Sequence, residues 1–232
     1  ALMQGVFDGF YSFDDLMDQG DFGIGTFDAL DGEMVALDGE YYQVRADGVA
    51  YPVQGNMTAP FATVTRFEVD QTAVVENAGN FSQLSHQIDQ HLPSLNAFYA
   101  IRIDGTFPYI QTRSVPAQEK PYPRLAEAVE DQSVFNLTNV TGSVVGIWAP
   151  DFARGVNVPG YHLHFITEDR KAGGHILEIQ VANATAQVDA TAGFAMQLPT
   201  SGDFYNVHLG GDLQNELEEI EKWWQRSSAV AP

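Results

Sequence analysis

The chain has 232 residues, enough for one large domain or two small ones with a substantial core. Apolar residues make up 44% and charged residues 18%, which is typical of a globular protein and excludes a disordered chain or a coiled coil. The 31 acidic residues against 11 Lys and Arg give a formal charge of -20, which disfavours nucleic acid and anionic membranes as partners. Because there is no Cys, a metal site must be built from His and carboxylates.

The first predicted element is a short helix near the N-terminus. Ser12 is a suitable N-cap, and Asp14 and Asp15 carry the negative charge that favours a first helical turn. Gly20 follows where such a helix would end. These residues predict a helix of about two turns.

A meander of short strands is predicted next. From Glu33, three β-rich runs are separated by Asp-Gly pairs at 38–39 and 47–48. Asp-Gly between β-rich runs is typical of hairpin turns. Apolar and polar residues alternate over 60–69, which predicts a further strand.

The middle of the chain predicts a helix and then a strand pair. Residues 82–92 carry apolar side chains at every fourth position, the stripe of an amphipathic helix, and Pro93 ends it. Residues 97–115 predict a strand–turn–strand unit, with the turn at Asp104-Gly105.

A proline-containing loop at 116–124 leads into a short helix and marks the predicted boundary between an N-terminal and a C-terminal half. We therefore expect a single unit of α+β or mixed α/β class with two sheet-based halves and a few flanking helices. The N-terminal β-rich half spans about 1–115, and the C-terminal half, which carries the metal site, spans about 116–222. The small and polar residues of 226–232 are expected to be frayed.

The C-terminal half begins with a predicted strand at 142–150. Residues 161–190 then predict strand, Gly-containing turn, strand, turn and strand. The stretch from Asp212 has apolar residues on one helical face and predicts a terminal helix.

Three of the six histidines lie within fourteen residues. His162 and His164 are two apart, so on a strand both face one side while Leu163 faces the other. A turn over 169–173 would fold the next strand back and bring His175 across from the pair. Three imidazoles on one side of a hairpin form the ligand set of a catalytic Zn²⁺ site.

Two other interpretations stay open at this point. His162, His164 and Glu168 also match the first half of a cupin-type metal motif, which would make the protein a cupin-like isomerase or dioxygenase with Glu168 as a ligand. A non-catalytic binding module with a structural metal is the third interpretation. Structural zinc sites are usually fully ligated and often Cys-rich, so the absence of Cys counts against it.

Several long segments together resemble one family, the acetolactate decarboxylases, which are the bacterial enzymes of acetoin formation in the butanediol pathway. The resemblance covers about residues 5–221 without a large gap. The segments that carry it are GTFDALDGEMVALDGEYYQVRADGVAYPV, PFATVTRF, FYAIRIDGTFPYIQTRSVPAQEKPYPRL and GVNVPGYHLHFITEDRKAGGHILE.

The resemblance implies a zinc-dependent decarboxylation of (S)-2-acetolactate to (R)-acetoin and CO₂, in which the metal is a Lewis acid for an enediolate. It also implies a two-part α/β arrangement with mixed sheets, usually dimeric. The implied substrate is a small molecule, which agrees with a net charge that disfavours nucleic acid and membrane partners.

The resemblance also implies roles for particular residues. The metal ligands are His162, His164 and His175, the residues that the spacing selects. The catalytic residues are Glu33, Arg113 and a tail glutamate placed at Glu221, and Thr26 lines the substrate pocket together with Arg113. The neighbouring alternatives for the tail glutamate are Glu216, Glu218 and Glu219.

Two features of the sequence bear on the compartment. The first twenty residues lack the basic n-region of a signal peptide, and no apolar run reaches the length of a membrane helix. The cytoplasm is therefore the default expectation, with a trimmed secretory leader as the alternative.

Overall fold

Strands dominate the computed structural model, which describes residues 1–211 and 213–221. In those residues the strands are β1 Tyr11–Ser12, β2 Phe22–Thr26, β3 Glu33–Leu37, β4 Glu40–Val44, β5 Ala50–Pro52, β6 Thr58–Ala59, β7 Ala62–Thr65, β8 Gln71–Ala78, β9 Phe98–Ser114, β10 Ser133–Ala149, β11 Gly160–Thr167 and β12 Gly173–Thr191. The α-helices are α1 Phe13–Gln19, α2 Phe81–Asp89, α3 Leu125–Ala128 and α4 Gln214–Glu221.

The smaller of the two main sheets has the strand order β5-β4-β3-β2-β7. β3 and β4 are joined by the predicted two-residue turn, in which Asp38 has a φ of 56° and Gly39 a φ of 79°. Positive φ at both central residues is what a type I′ hairpin requires, so the turn sets the register with Leu37 opposite Glu40. This part of the predicted meander is confirmed.

The larger sheet has the order β11-β10-β9-β12-β8, and β11 also pairs with the start of β12. The strands β9 to β12 therefore form a closed cycle of pairings. Every pairing among the described residues is antiparallel. The α+β class is confirmed, whereas the expected mixed sheets are wrong for the described part of the chain.

The predicted turn at Asp104-Gly105 is also wrong, because β9 runs straight through it. Asp104 pairs with Ser143 of β10 on one side and with Thr185 of β12 on the other. Its carboxylate accepts hydrogen bonds from the Ser143 hydroxyl and the Arg102 guanidinium, both at 2.6 Å. Pairing on both edges outweighs the local turn preference, and β12 likewise continues through the second turn that was predicted after residue 173.

The expected division at about residue 115 does not coincide with a sheet boundary. β9 lies in the expected N-terminal half but pairs on both sides with strands of the expected C-terminal half. The smaller sheet instead ends at Thr65, and the larger sheet begins at Gln71.

The helices begin close to where their signals lie. The Ser12 hydroxyl accepts a hydrogen bond from the Asp15 backbone N–H at 3.2 Å, so α1 has the predicted N-cap. α2 begins one residue earlier and ends three residues earlier than predicted, and it buries its apolar stripe on the larger sheet. Among the helices that the structure describes, none combines the length and apolar character needed to cross a bilayer.

The two main sheets pack face to face through one apolar cluster. It includes Ile24, Val35 and Val44 from the smaller sheet and Val145, Ile147 and Ile166 from the larger one. Because Ile166 of β11 faces this interface, His164 and His162, two and four residues earlier on the strand, face it as well. The histidine pair therefore lies between the sheets.

Candidate active site

The β11–β12 hairpin brings the three predicted histidines together. His164 lies directly opposite His175 in the antiparallel register, and His162 is on the same face as His164. One nitrogen from each ring lies within 4.8 Å of the others, and all three side chains are buried. The predicted convergence of three imidazoles is present.

A backbone carbonyl sets the orientation of His164. Its Nδ1 lies 2.8 Å from the carbonyl oxygen of Met34 on β3. A carbonyl can only accept a hydrogen bond, so Nδ1 carries the proton and the lone pair is on Nε2. That lone pair is the one that could bind a metal ion, so a carbonyl of the smaller sheet orients a candidate ligand on the larger sheet.

The charge state of His162 also suits a metal ligand. Burial, and next the positive charge of Arg113, lower the pKa of His162 from its ordinary value of 6.5 to about 3. The imidazole is therefore neutral at physiological pH, and the neutral form is the one that coordinates metal ions.

Arg113 is placed beside the histidines by the pairing of β9 with β12. It lies directly opposite His175, and only 4% of its surface is exposed. The close approach of these strands depends on Gly174, which has a φ of 128° and whose added Cβ would lie 2.5 Å from the Arg113 carbonyl oxygen. The register of β12 against β9 shifts just beyond His175, between Ile176 and Glu178. Such bulges often lie next to active sites, where they change the direction of a side chain.

Glu33 is the first residue of β3 and is buried. Its Oε2 lies 3.5 Å from Nε2 of His164, so the carboxylate reaches the histidine cluster. Thr26 lies directly opposite Glu33 on β2, but its hydroxyl donates a hydrogen bond to the Gly32 carbonyl at 2.7 Å. Toward a substrate, Thr26 therefore offers its acceptor lone pairs.

The terminal helix α4 packs near this site. Ile220 is buried in an apolar cluster with Leu30 and Val115, which are close in sequence to Glu33 and Arg113. Glu221 is the last residue of α4, and its side chain lies outside the described part of the structure, as does that of the alternative Glu218.

Of the other tail glutamates, Glu216 is already engaged. Its carboxylate pairs with Arg124 at 2.8 Å, which ties α4 to the start of α3. Glu219 is exposed. Neither observation favours these two as the tail residue of the site.

Comparison with known proteins agrees with this geometry. The family described as alpha-acetolactate decarboxylase matches residues 1–211. A relative of that name from Methanosarcina mazei is 57% identical over 222 residues, which cover 96% of this chain and 77% of the relative. The chain belongs to the alpha-acetolactate decarboxylase family. This confirms the resemblance and the prediction that the protein is a carboxy-lyase.

Further relatives of the family support the same assignment. The alpha-acetolactate decarboxylase of Bacillus subtilis is 42% identical over 222 residues, covering 95% of this chain and 87% of the relative. A crystal structure of the enzyme from Bacillus subtilis strain 168 superposes with a TM-score of 0.92 at 42% identity, over 95% of this chain and 94% of that one. The architecture described above is therefore that of the family.

Membership of the decarboxylase family also decides against the cupin-like alternative. Glu168 is exposed in the turn after β11 and is not part of the histidine cluster. Its backbone N–H donates a hydrogen bond to the Thr141 carbonyl at 3.0 Å, which holds this residue at the turn of the β11–β12 hairpin. The prediction of Glu168 as a ligand is wrong for the described structure.

Nothing in the amino-acid sequence marks Met34, whose backbone carbonyl orients His164. A carbonyl is present at every residue, so no residue type marks this contact. An indirect signal existed for its neighbour Gln43: a two-residue turn at 38–39 places Gln43 opposite Met34.

Proposed function

We propose that this protein decarboxylates (S)-2-acetolactate to (R)-acetoin and CO₂, with a Zn²⁺ ion held by His162, His164 and His175. The observation that supports this proposal is the buried cluster of three imidazoles, with a carboxylate and a guanidinium beside it, in a member of the alpha-acetolactate decarboxylase family. The names of the relatives supply the substrate class.

The donor set fits a catalytic zinc ion. Three neutral imidazoles without a thiolate are a common catalytic set. In a tetrahedral site, nitrogens bound at about 2.0–2.1 Å from the zinc ion lie roughly 3.4 Å apart. The three nitrogens lie within 4.8 Å of one another here, so modest side-chain shifts would bring them to one ion. When bound, the ion would supply a Lewis acid that stabilises negative charge on the substrate oxygens as CO₂ leaves.

Arg113 is the group best placed to orient the substrate carboxylate. A planar guanidinium binds a carboxylate through two parallel hydrogen bonds, and its charge is not lost on burial. Held beside His175 and shielded from water, it would align the bond that breaks with the neighbouring carbonyl group. Delivery of a proton is a second role proposed for it.

Glu33 and Glu221 are the proposed proton-transfer groups. Loss of CO₂ leaves an electron pair, which moves onto the ketone oxygen. One proton must then reach the carbon that lost CO₂ as the ketone re-forms, and any proton taken from the hydroxyl group during the reaction must be returned to oxygen. Glu33 lies within reach of the histidine cluster and is buried, which suits a general acid–base. Glu221 would complete the pair from α4, which packs beside the segment preceding Glu33.

Thr26 is proposed to contact the substrate only through its acceptor lone pairs. Its donated hydrogen bond to Gly32 supports the residue that immediately precedes Glu33. Loss of the hydroxyl would therefore act both on the pocket lining and on the position of Glu33.

The test measures bound metal and product together. Purified protein should contain close to one zinc per chain and release (R)-acetoin from racemic acetolactate. His164→Ala should lose both metal and turnover, and His86→Ala, at an exposed histidine on α2, should keep both. Bound zinc without acetoin would refute the proposed reaction, and full zinc content with full rate in His164→Ala would refute the site.

We also propose that two copies associate through the segment after β12. Phe194, Met196 and Leu198 lie there at alternate positions and are 54%, 49% and 50% exposed. Exposed apolar side chains grouped in this way are typical of interaction surfaces. Light scattering should give a dimer mass that falls to a monomer mass in Met196→Ser/Leu198→Ser, and a dimer mass in that variant would contradict this surface.

A cytoplasmic location also stays a prediction.

A further inference from the structure

We propose that Gln43 is a positioning residue for Glu33: with Asp31 and Arg45 it holds the turn that aims the carboxylate at the histidine cluster. We call residues 28–32 the aiming turn. The inference rests on the proposed function only in giving Glu33 a part in proton transfer, and the geometry that carries it is independent of the reaction.

The aiming turn has an unfavourable backbone conformation. Ala29 and Leu30 have φ values of 59° and 60°, in the left-handed region where a side chain crowds its own backbone. Gly32 has a φ of 88°, and an added Cβ would collide with the Val44 carbonyl oxygen of β4. Left-handed residues at successive positions persist only where surrounding contacts impose them, and such segments cluster at functional sites.

Gln43 supplies the central contact. It lies on β4 opposite Met34, and only 3% of its surface is exposed. Its side-chain amide donates to the Asp31 backbone carbonyl at 2.6 Å and to the Asp31 carboxylate at 3.0 Å. A buried amide with both donors engaged by one residue holds that residue in a single position.

Arg45 closes the network from the surface side. Its Nη2 donates to the Asp31 carboxylate at 3.0 Å, and its Nε donates to the Gln43 side-chain oxygen at 3.2 Å. The Arg45 side chain is 48% exposed, so this outer part of the network is reached by solvent while Gln43 is not.

The backbone carbonyls of both residues immediately before Glu33 are therefore taken by buried side chains. Gln43 holds the carbonyl of Asp31, and Thr26 holds the carbonyl of Gly32. On the other side, the Gly32 N–H donates to the Val115 carbonyl at 3.0 Å, two residues after Arg113. These contacts hold the backbone before Glu33 in the position from which its carboxylate reaches to 3.5 Å from His164.

The functional consequence follows from the sensitivity of proton transfer to geometry. A displacement of about 1 Å in a reacting group can lower a rate roughly 100-fold. Loosening the aiming turn should therefore lower the turnover number while leaving substrate binding by Arg113 and the histidine cluster largely intact.

The decisive variant is Gln43→Met in the zinc-loaded protein. Methionine has a similar length and volume but lacks both donors. We expect kcat to fall between 10-fold and 100-fold, KM to stay within threefold, and zinc content to be unchanged. Amide hydrogen exchange over residues 30–33 should become at least tenfold faster.

Gln87→Met is the matched control. Gln87 on α2 also uses its amide on a strand backbone, donating to the Glu76 carbonyl at 3.1 Å and accepting from the Glu76 N–H at 3.2 Å, away from the site. It should keep the wild-type kcat and the wild-type exchange over residues 30–33.

Each outcome decides the proposal. Wild-type kcat and exchange in Gln43→Met would overturn it, and so would a loss of zinc in step with the loss of rate, since Gln43 would then maintain the site as a whole. If Gln43→Met does not fold, the fallback variant is Arg45→Gln, at the exposed end of the network. It should show a threefold lower kcat and faster exchange over residues 30–33, and unchanged values would overturn the proposal. If the wild-type protein releases no acetoin, the proposed function fails, and the exchange measurement still decides whether Gln43 holds the aiming turn.

Discussion

Acidification should destabilise the metal-free protein through His162 in particular. Its pKa is about 3 when folded and 6.5 when unfolded, because the folded protein buries the ring beside Arg113. Between these two values the unfolded chain binds a proton that the folded chain does not. The free energy of unfolding therefore falls as the pH falls through 6.5, and this contribution is lost progressively down to about pH 3.

The size of the effect follows from the same two values. One proton bound on unfolding lowers the free energy of unfolding by at most about 1.4 kcal/mol per pH unit. Between pH 7.5 and pH 4.5, only the roughly two pH units below 6.5 contribute, so the free energy of unfolding should fall by about 2–3 kcal/mol. A bound zinc ion would hold the ring neutral and add its own binding free energy, so the measurement requires protein treated to remove metal.

Urea unfolding at pH 7.5, 6.0 and 4.5 tests this on wild type and His162→Gln. The wild type should lose about 2–3 kcal/mol more than the variant over this range. The other charged or titratable groups around His162 are common to both proteins and largely cancel; they are His164, His175, Arg113 and Glu33. His86→Gln should run parallel to wild type. A variant whose stability falls as steeply as that of wild type would refute the reasoning.

Three further predictions test the site and its supports. Arg113→Lys keeps the positive charge but loses the planar guanidinium, so kcat/KM should fall about 100-fold. The control Arg102→Lys, at a partly exposed ion pair, should stay within threefold of wild type. Equal values of kcat/KM for the two variants would contradict the role of Arg113. Ile220→Ala removes a buried apolar contact of α4 worth about 2–4 kcal/mol. Amide exchange in α4 should therefore become at least 30-fold faster, and turnover should fall while zinc is retained. Unchanged exchange would show that α4 does not pack through this residue. Gly174→Ala should lower the free energy of unfolding by about 2 kcal/mol or more in urea titrations because of its left-handed φ and the close Arg113 carbonyl, while Gly193→Ala, with open space around it, should be neutral.

Local signals predicted those features that depend on a few adjacent residues. The Ser12 cap, the turn at 38–39 and the two-residue spacing of His162 and His164 each have a cause within one turn or one strand. The hairpin that returns His175 belongs to the same group, since a short turn requires only local chain reversal.

Long-range pairing overruled the local signal where the two disagreed. Asp104-Gly105 has the composition of a turn, yet β9 continues because β10 and β12 bond to it on both edges. The expected division near residue 115 does not follow the sheets for the same reason. Hydrogen bonds to distant strands have no counterpart in a window of ten residues.

Imidazole spacing, an acidic composition without Cys and family-like segments can all be read along the chain, so the candidate side chains are predicted before the fold is known. Their arrangement in the folded protein depends on contacts between segments that are distant along the chain. The Met34 carbonyl orients His164, Gln43 holds the turn before Glu33, and Arg113 lies against His175. The Met34 contact forms only when the two sheets pack face to face, and the Arg113 contact forms only when β9 pairs with β12. The Gln43 contact lies within the smaller sheet, but its acceptor is a backbone carbonyl, which carries no residue-specific mark that would reveal the contact beforehand.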